Sequence, residues 1–107
     1  MPDRDPYFAF ADSTRRAILR VLWEEGSCPA GGIATRFPEI TREAVSRHLR
    51  ILRETGLVTV DGRGRELWYS IDRARLAELH AAFFARFAPA FDASLAALKR
   101  RAESDGN

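Results

Sequence analysis

The sequence predicts a mainly α-helical fold with one β-hairpin, in the order helix, helix, helix, hairpin, helix. Two patterns carry this prediction. Apolar residues recur at intervals of three and four over most of the chain, the period of an amphipathic helix, and switch to alternation between positions 57 and 71. Glycine and proline fall between these segments, where turns are expected. The length of 107 residues is typical of one domain, so residues 1–107 are interpreted as a single domain.

The first predicted helix has a clear start and a clear end. Asp12 is a suitable N-cap, because its carboxylate can accept the free backbone N–H groups of the first turn. The helix then runs from Ser13 to Glu25, with an apolar face that contains Ile18 and Leu22. Gly26 follows in the position that glycine favours after a helix end.

A short turn separates the next two predicted helices. The second helix runs from Pro29 to Phe37 and contains two glycines, each of which costs about 1 kcal/mol against alanine. Thr41 is an N-cap candidate for the third helix, which runs from Arg42 to Thr55 and stops at Gly56. Two helices joined by a short turn, the second amphipathic and basic, predict a helix-turn-helix.

A β-hairpin, called the wing below, is predicted after the third helix. Leu57–Val60 and Glu66–Ile71 are rich in β-branched and aromatic residues, and the glycine-rich tip Asp61–Arg65 lies between them. Asp72 can cap a terminal helix that runs from Arg73 to about Ala102. This order of elements is that of a winged helix-turn-helix.

The terminal helix carries more apolar surface than a small domain needs for its own core. Leucine and phenylalanine recur every three or four residues from Leu76 to Leu98. We therefore expect residues 6–75 to form a core domain and residues 76–102 to form a helix that makes a homodimer, although the stripe could instead line an effector pocket. Pro89 should kink this helix or divide it in two. The predicted dimer interface consists of Tyr7, Phe8, Phe10, Phe83, Phe87, Phe91 and Leu95.

Composition excludes several classes of protein. Apolar residues make up 46% of the chain and charged residues 30%, which is typical of a folded protein and not of a disordered one. No apolar run exceeds five residues, whereas a membrane span needs about 20. No basic and apolar leader precedes Tyr7, so we expect a cytoplasmic protein with no membrane partner. The single cysteine, Cys28, excludes an intramolecular disulfide.

The third predicted helix has two faces of different chemistry. Val45, Leu49 and Leu52 form an apolar stripe that would fix the helix to the domain. A different face, the polar face, carries guanidinium groups and short hydroxyls, which suit the base edges and phosphates of double-stranded DNA. Taken alone, such a face is more simply a solvated surface, but the preceding helix and the wing favour DNA binding. The predicted DNA-binding residues of the polar face are Thr41, Arg42, Glu43, Ser46, Arg47 and Arg50.

The tip of the wing carries two more candidate DNA-binding residues. Arg63 and Arg65 flank Gly64, so the loop can approach a phosphate backbone closely. The negative potential of a narrow minor groove also attracts arginine side chains. We therefore predict that helix 42–55 enters the major groove, while the wing tip, residues 61–65, lies in or near the minor groove.

Three segments resemble the ArsR/SmtB family of winged helix-turn-helix transcriptional repressors. They are residues 12–19 (DSTRRAIL), residues 44–58 (AVSRHLRILRETGLV) and residues 62–69 (GRGRELWY). The resemblance covers about residues 6–75. It implies a homodimeric repressor that binds an inverted-repeat operator, with terminal helices at the dimer interface. By position, Arg42, Glu43, Ser46 and Arg47 match the base-contacting part of the family's recognition helix.

The chain departs from the metal-sensing members of this family. It lacks their cysteine pair, and its one cysteine and two histidines are dispersed at Cys28, His48 and His80. We therefore expect no metal and no cofactor, as in the metal-free branch of the family. His48 is interpreted as a packing or phosphate-contacting residue. A thiol switch at Cys28, or a metal response, is kept as an alternative.

Other functional classes are weaker interpretations. A winged-helix module that binds proteins and not DNA would have an apolar or acidic recognition face, whereas this one is basic. An enzyme is not expected, because the sequence shows no nucleophile–base pair, carboxylate pair or phosphate-cradling loop at usable spacing. The sequence specifies neither the operator nor a small-molecule effector, and it is compatible with either repression or activation.

Overall fold

The computed structural model of the chain describes residues 5–105, apart from the side chains of Phe91 and Asp105. Within that range a 3-10 helix, Pro6–Ala11, precedes five α-helices and three β-strands. In chain order these are α1 (Ser13–Glu25), β1 (Ser27–Pro29), α2 (Ala30–Ala34), α3 (Arg42–Glu54), β2 (Val58–Arg63), β3 (Glu66–Ile71), α4 (Arg73–Ala85) and α5 (Ala88–Asp105).

The predicted limits of α1 are confirmed. The Asp12 carboxylate accepts the backbone N–H groups of Thr14 and Arg15 at 2.8 and 3.0 Å. These two bonds satisfy donors that the first turn leaves free, and they hold the pKa of Asp12 below its ordinary value. At the other end Gly26 adopts a φ of +87°, which ends the helix where an L-residue would be strained.

The region between α1 and α3 differs from the prediction. Ser27–Pro29 forms a short strand, β1, and α2 spans only Ala30–Ala34 in place of the predicted Pro29–Phe37. Turn-type hydrogen bonds continue from the end of α2 to Phe37. The glycines at positions 31 and 32 weaken helix formation, and β1 is held by its pairing with β3, which begins 37 residues after the end of β1 along the chain.

The wing is part of a three-stranded antiparallel sheet with the strand order β1-β3-β2. β2 and β3 pair from Val58 opposite Ile71 to Arg63 opposite Glu66. The predicted bounds of β3 are confirmed, whereas β2 begins one residue later and extends three residues further toward the tip than predicted, so that the turn contains only Gly64 and Arg65. β1 pairs with residues 68–70 of β3 and stops there, so the outer part of the wing projects past the sheet edge.

The core lies where α1, α3 and the sheet meet. Ile18 and Leu22 of α1 and Leu49 and Leu52 of α3 are at most 1% exposed. Thr55, after α3, is also buried, and its hydroxyl donates to the Leu52 carbonyl at 2.6 Å. A buried hydroxyl with a hydrogen-bond partner avoids the cost of desolvation without compensation, so this polar residue is tolerated in the core. The packing confirms the predicted winged helix-turn-helix.

The described residues divide into two compact units, and the division falls inside α4, between Leu76 and Ala77. The predicted terminal helix is divided near Pro89, which confirms one of the two effects predicted for this proline: α4 ends at Ala85, and α5 begins at Ala88 and runs to Asp105. Proline has no backbone N–H to donate to the residue four positions earlier, which is Ala85. In α5 it stands in the first turn, where that N–H is not needed.

Within residues 5–105 no single helix is long and apolar enough to cross a membrane. The segments Arg73–Ala85 and Ala88–Ser104 reach that length and hydropathy only when counted together across the bend between them.

Candidate nucleic-acid interface

Helix α3 is fixed at its start and along its back. The Thr41 hydroxyl accepts the N–H of Ala44 at 3.1 Å, which confirms the predicted cap. Val45, Leu49 and Leu52 are buried, so the helix cannot rotate without exposing its apolar stripe. The opposite side of α3 is thereby held toward solvent.

The structure brings all six predicted residues of the polar face onto one exposed surface. Among the described residues, no hydrogen bond or ion pair involves the guanidinium of Arg42, Arg47 or Arg50. Guanidinium groups of this kind keep all their donors for a ligand. Carboxylates, phosphates and the O6 and N7 atoms of guanine match their forked geometry.

The turn of the wing is tighter than the sequence indicated. Gly64 and Arg65 are its two central residues, and Gly64 has a φ of +64°. Since no non-glycine residue in the described range has a positive φ, the pattern is that of a type II′ turn, which takes glycine at its first central position. Arg65 is thus placed at the exposed apex of the wing.

The two arginines of the wing have different surroundings. The Arg63 guanidinium lies 3.2 Å from the Asp61 carboxylate and stacks 4.5 Å above the Trp68 ring. The Trp68 indole N–H in turn donates to Glu66 at 3.2 Å. Cross-strand pairing puts Asp61 opposite Trp68 and Arg63 opposite Glu66, so these four residues share one face. Among the described residues, Arg65 has no hydrogen-bond or ion-pair partner.

Sequence reasoning missed a buried arginine behind α3. Arg15 is 6% exposed, donates to the Phe8 carbonyl at 3.0 Å and stacks 4.7 Å from the Phe8 ring. Its Nη1 lies 3.5 Å from Nδ1 of His48 on α3, and its Nε has no hydrogen-bond partner among the described residues. The DSTRRAIL motif was the available signal, but its arginines had no assigned role. Here one of them links the N-terminal 3-10 helix to α3.

His48, on α3, is half-buried and faces Arg15 of α1, which fits its interpretation as a packing residue. Burial lowers the pKa of its ring, the carboxylate of Asp12 opposes this, and the positive charges of Arg15 and Arg47 reinforce it. The neutral ring suits its position, because only an unprotonated Nδ1 can accept a hydrogen bond from Arg15.

The predicted dimer residues fall in both units. In the first unit, Tyr7 and Phe10 are half-buried and Phe8 is 41% exposed. In the second, Phe83, Phe87 and Leu95 are between 42% and 51% exposed, and the Phe83 ring centre lies 5.1 Å from that of Phe87. Phe87 lies in the break between α4 and α5 and not on a helix. The side chain of Phe91 lies outside the described residues.

The residues that a metal response or a thiol switch would use are dispersed. In the described part of the chain, no three His, Cys, Asp or Glu side chains lie close enough to hold a metal ion. Cys28 is in β1, where burial, reinforced by the charge of Glu25, raises the pKa of its thiol. A raised pKa lowers the thiolate fraction and with it the reactivity toward oxidants.

An apolar hollow lies between α1 and the start of α4, within the first unit. Its walls include Phe10, Leu19, Trp23 and Leu76, and its volume is about 220 Å³. Sites for small molecules usually measure about 300–1,000 Å³. We therefore assign no effector to this hollow.

Comparison with known sequences gives three similarities. The model of a helix-turn-helix domain family matches residues 10–61. The HTH-type transcriptional regulator Rv2034 of Mycobacterium tuberculosis is 40% identical over 78 residues, which are 73% of this chain and 70% of the relative. The transcriptional repressor SdpR of Bacillus subtilis is 36% identical over 64 residues, which are 60% of this chain and 69% of the relative.

Comparison with solved structures extends the likeness to the fold. An ArsR-like transcriptional regulator from Rhodococcus sp. RHA1 is 37% identical and superimposes with a TM-score of 0.69. The match covers 92% of this chain and 87% of that one. The similarity therefore includes the wing and the polar face of α3.

Proposed function

Since this chain belongs to the ArsR family of helix-turn-helix transcriptional regulators, we propose that it is a homodimeric repressor of an inverted-repeat operator. Like its relatives, it is a transcriptional regulator and not an enzyme. A transcriptional regulator acts on the chromosome, so we propose a cytoplasmic location.

The polar face of α3 is the single observation that carries the proposal. Three arginines and two short hydroxyls lie on the solvent side of a helix whose back is buried, and the arginines make no hydrogen bond or ion pair among the described residues. In this proposal Arg42, Ser46 and Arg47 contact base edges in the major groove. Arg50 and the start of the helix contact phosphates, which the positive end of the helix dipole also attracts.

The wing is assigned to the DNA backbone or the minor groove beside the α3 site. Arg65 stands at its apex and is the direct contact in this proposal. Arg63 is paired with Asp61 and stacked on Trp68, so in this proposal it stabilises the hairpin and attracts DNA less strongly than Arg65 does. This division refines the equal roles that the sequence suggested.

Dimerisation is assigned to the exposed apolar residues of α4, of the break after it and of α5, where Leu95 lies, together with the aromatic residues of the 3-10 helix. Two α3 helices can enter successive major grooves only if a two-fold axis holds them about 34 Å apart. Phe83, Phe84 and Phe87 expose 42–56% of their surface, and the Phe83 ring contacts the other two. Large apolar patches of this kind are typical of subunit interfaces.

Selection from random duplex DNA with the purified protein tests the proposal as a whole. We expect enrichment of an inverted repeat with half-sites about 34 Å apart. The selected site, placed over a promoter in a reporter strain, should lower expression when the protein is present. A failure to enrich any sequence would contradict DNA recognition and favour a protein-binding module. Enrichment of a single, asymmetric half-site would contradict the dimer, and raised expression would contradict repression.

Sedimentation tests the dimer separately. Phe87→Asp should yield monomers at micromolar concentration, because a charge at a symmetric interface is buried twice. Leu67→Asp is a matched control, since Leu67 is 50% exposed but lies on the wing. It should remain dimeric. A folded Phe87→Asp dimer, with unchanged circular dichroism, would remove Phe87 from the interface. Phe84→Asp then tests the patch itself, and a second stable dimer would contradict it.

A further inference from the structure

The outer part of the wing, residues 61–66, carries no net charge although it holds two of the predicted DNA-binding arginines. Its charged residues are two acids and two arginines, namely Asp61, Arg63, Arg65 and Glu66. Helix α3, in contrast, has four arginines and two acids. A protein element that binds the phosphate backbone gains its affinity from positive charge. The acids of the wing therefore oppose its proposed role, and their positions decide which arginine they affect.

The strand register places both acids on one side of the hairpin. Side chains alternate between the two faces of a strand, and Tyr69 of β3 is buried, so its face packs against the core. Trp68 and Glu66 project from the opposite face, together with their cross-strand partners Asp61 and Arg63. We call this the outer face of the wing. Arg63 thus shares its face with both acids.

The two acids of the outer face have different partners. The Nε–H of Arg63 donates to the Asp61 carboxylate at 3.2 Å, while the Glu66 carboxylate accepts the indole N–H of Trp68. The Arg63 guanidinium also stacks 4.5 Å from the centre of the Trp68 ring, which holds it beside the Asp61 carboxylate. Asp61 is therefore the acid that offsets the charge of a candidate DNA contact.

The Asp61–Arg63 pair has little structural value. The Asp61 side chain is 59% exposed and the Arg63 side chain 50%, and exposed ion pairs contribute little to stability. Aspartate is also among the residues that β-strands disfavour, so the hairpin has no need of an acid at this position. The main effect of the carboxylate is electrostatic. A phosphate that approaches the Arg63 guanidinium meets a neutral pair and is repelled by the Asp61 carboxylate.

We propose that Asp61 limits the affinity of this protein for DNA by neutralising Arg63, which binds a phosphate once the carboxylate is removed. The proposal rests on the DNA-binding function above and adds to it a residue that opposes binding. Phosphate contacts carry no sequence information, so Asp61 weakens the part of binding that is independent of sequence. Base recognition by α3 then supplies a larger share of the affinity, and less of the protein is held at the many other sites of a chromosome.

The test is Asp61→Asn, which removes the charge and keeps the size of the side chain. The probe is a labelled duplex of mixed sequence, and binding is measured by fluorescence anisotropy at several salt concentrations. We expect about three- to tenfold tighter binding, and a dependence of log K on log salt that is steeper by up to about 0.9, the value for one added phosphate contact. Circular dichroism and thermal melting should match the wild type, because the lost ion pair is exposed.

Glu24→Gln is a matched control, because it removes the acid of another exposed arginine pair. The Glu24 carboxylate lies 3.1 Å from Nε of Arg20 on α1, so the pair has nearly the same geometry and the variant has the same change in net charge. Since α1 is outside the proposed DNA-binding surface, the effect of Glu24→Gln should be less than about twofold.

A double-mutant cycle asks whether Asp61 acts through Arg63. In an Arg63→Gln background the cation is absent, so Asp61→Asn should leave the salt dependence unchanged. The same steepening in both backgrounds would show that Asp61 repels DNA directly, which overturns the neutralisation of Arg63. A steepening that occurs only when Arg63 is present supports it.

The outcomes separate this inference from the proposed function. If the wild type binds no duplex at all, the DNA-binding function fails, and the role of Asp61 fails with it. If the wild type binds and Arg47→Ala weakens selection of the operator, but Asp61→Asn binds no more tightly than Glu24→Gln, the DNA-binding function stands and the role of Asp61 is overturned.

Discussion

Helices α1 and α3 each have 13 residues and several arginines, but their arginines are used differently. In α1, Arg15 and Arg16 donate to the carbonyls of Phe8 and Phe10, and Arg20 pairs with Glu24. In α3, the guanidinium groups of Arg42, Arg47 and Arg50 make no hydrogen bond or ion pair among the described residues. Composition alone does not distinguish the two helices, whereas the hydrogen-bond partners do.

The comparison shows how structural arginines differ from arginines that remain for a ligand. Arg15 and Arg16 hold the N-terminal 3-10 helix against the domain, because they donate hydrogen bonds to two carbonyl groups of that helix. The wing repeats the contrast on a smaller scale, with Arg63 paired and Arg65 at the apex.

The largest expected effect is on the buried arginine. Arg15→Ala removes a charged hydrogen bond and a stacking contact from a residue that is 6% exposed. We expect the free energy of unfolding to fall by about 2–4 kcal/mol in urea denaturation. Arg20→Ala, which breaks an exposed i,i+4 pair, should cost less than about 0.5 kcal/mol. If Arg15→Ala kept its stability but lost its affinity for DNA, Arg15 would be a DNA contact and not a structural residue.

The second prediction concerns α3. Arg47→Ala should leave stability within about 0.5 kcal/mol of the wild type, since Arg47 is exposed. Affinity for the selected operator should fall by about 1–3 kcal/mol, with relaxed preference at one base pair. Gel-shift titration against operator variants measures both effects. Arg20→Ala is again the control and should bind as the wild type does. If both variants bound equally, the contrast between α1 and α3 would have no functional meaning.

The third prediction concerns the different roles of the two arginines of the wing. Arg65→Ala should lower the salt dependence of binding by about 0.9 and weaken binding evenly across sequences. Arg63→Ala should change the salt slope less but speed hydrogen exchange in the outer hairpin, because the stack on Trp68 is lost. Equal slopes for the two variants would show that both arginines contact DNA. A loss confined to particular bases would show that the wing reads sequence directly.

The smallest expected effect is a pH dependence. Folding lowers the pKa of His48 below its ordinary 6.5, so the unfolded chain takes up a proton first as the pH falls. Stability should therefore be constant above about pH 7.5 and decline as the pH drops through 6.5. His48→Gln should flatten this decline. Asp12, whose pKa is lowered from 3.8 chiefly by the Arg15 backbone N–H, contributes a separate loss at lower pH. If His48→Gln kept the full decline in stability near pH 6.5, His48 would not be the source of that decline.

Much of the fold follows from local sequence. The caps at Asp12 and Thr41 act on backbone groups two or three residues away, and the apolar stripe of α3 needs only its own periodicity. The split at Pro89 is equally local, since it depends on one missing N–H. For the same reason the exposed polar face could be assigned in full, because burial of Val45, Leu49 and Leu52 leaves those six residues on the outside.

The remaining features depend on residues that are far apart in the chain. β1 exists because Ser27–Pro29 pairs with residues 68–70, and no turn or periodicity near Ser27 indicates that partner. The role of Arg15 depends on His48, 33 positions later. The inequality of Arg63 and Arg65 follows from the cross-strand register that places Trp68 beside one of them. Helices and their caps can therefore be predicted from the sequence, because their hydrogen bonds join residues that are close together in the chain. Strand pairing and side-chain partners arise only when distant segments meet, because many residues compete for each contact until packing selects one.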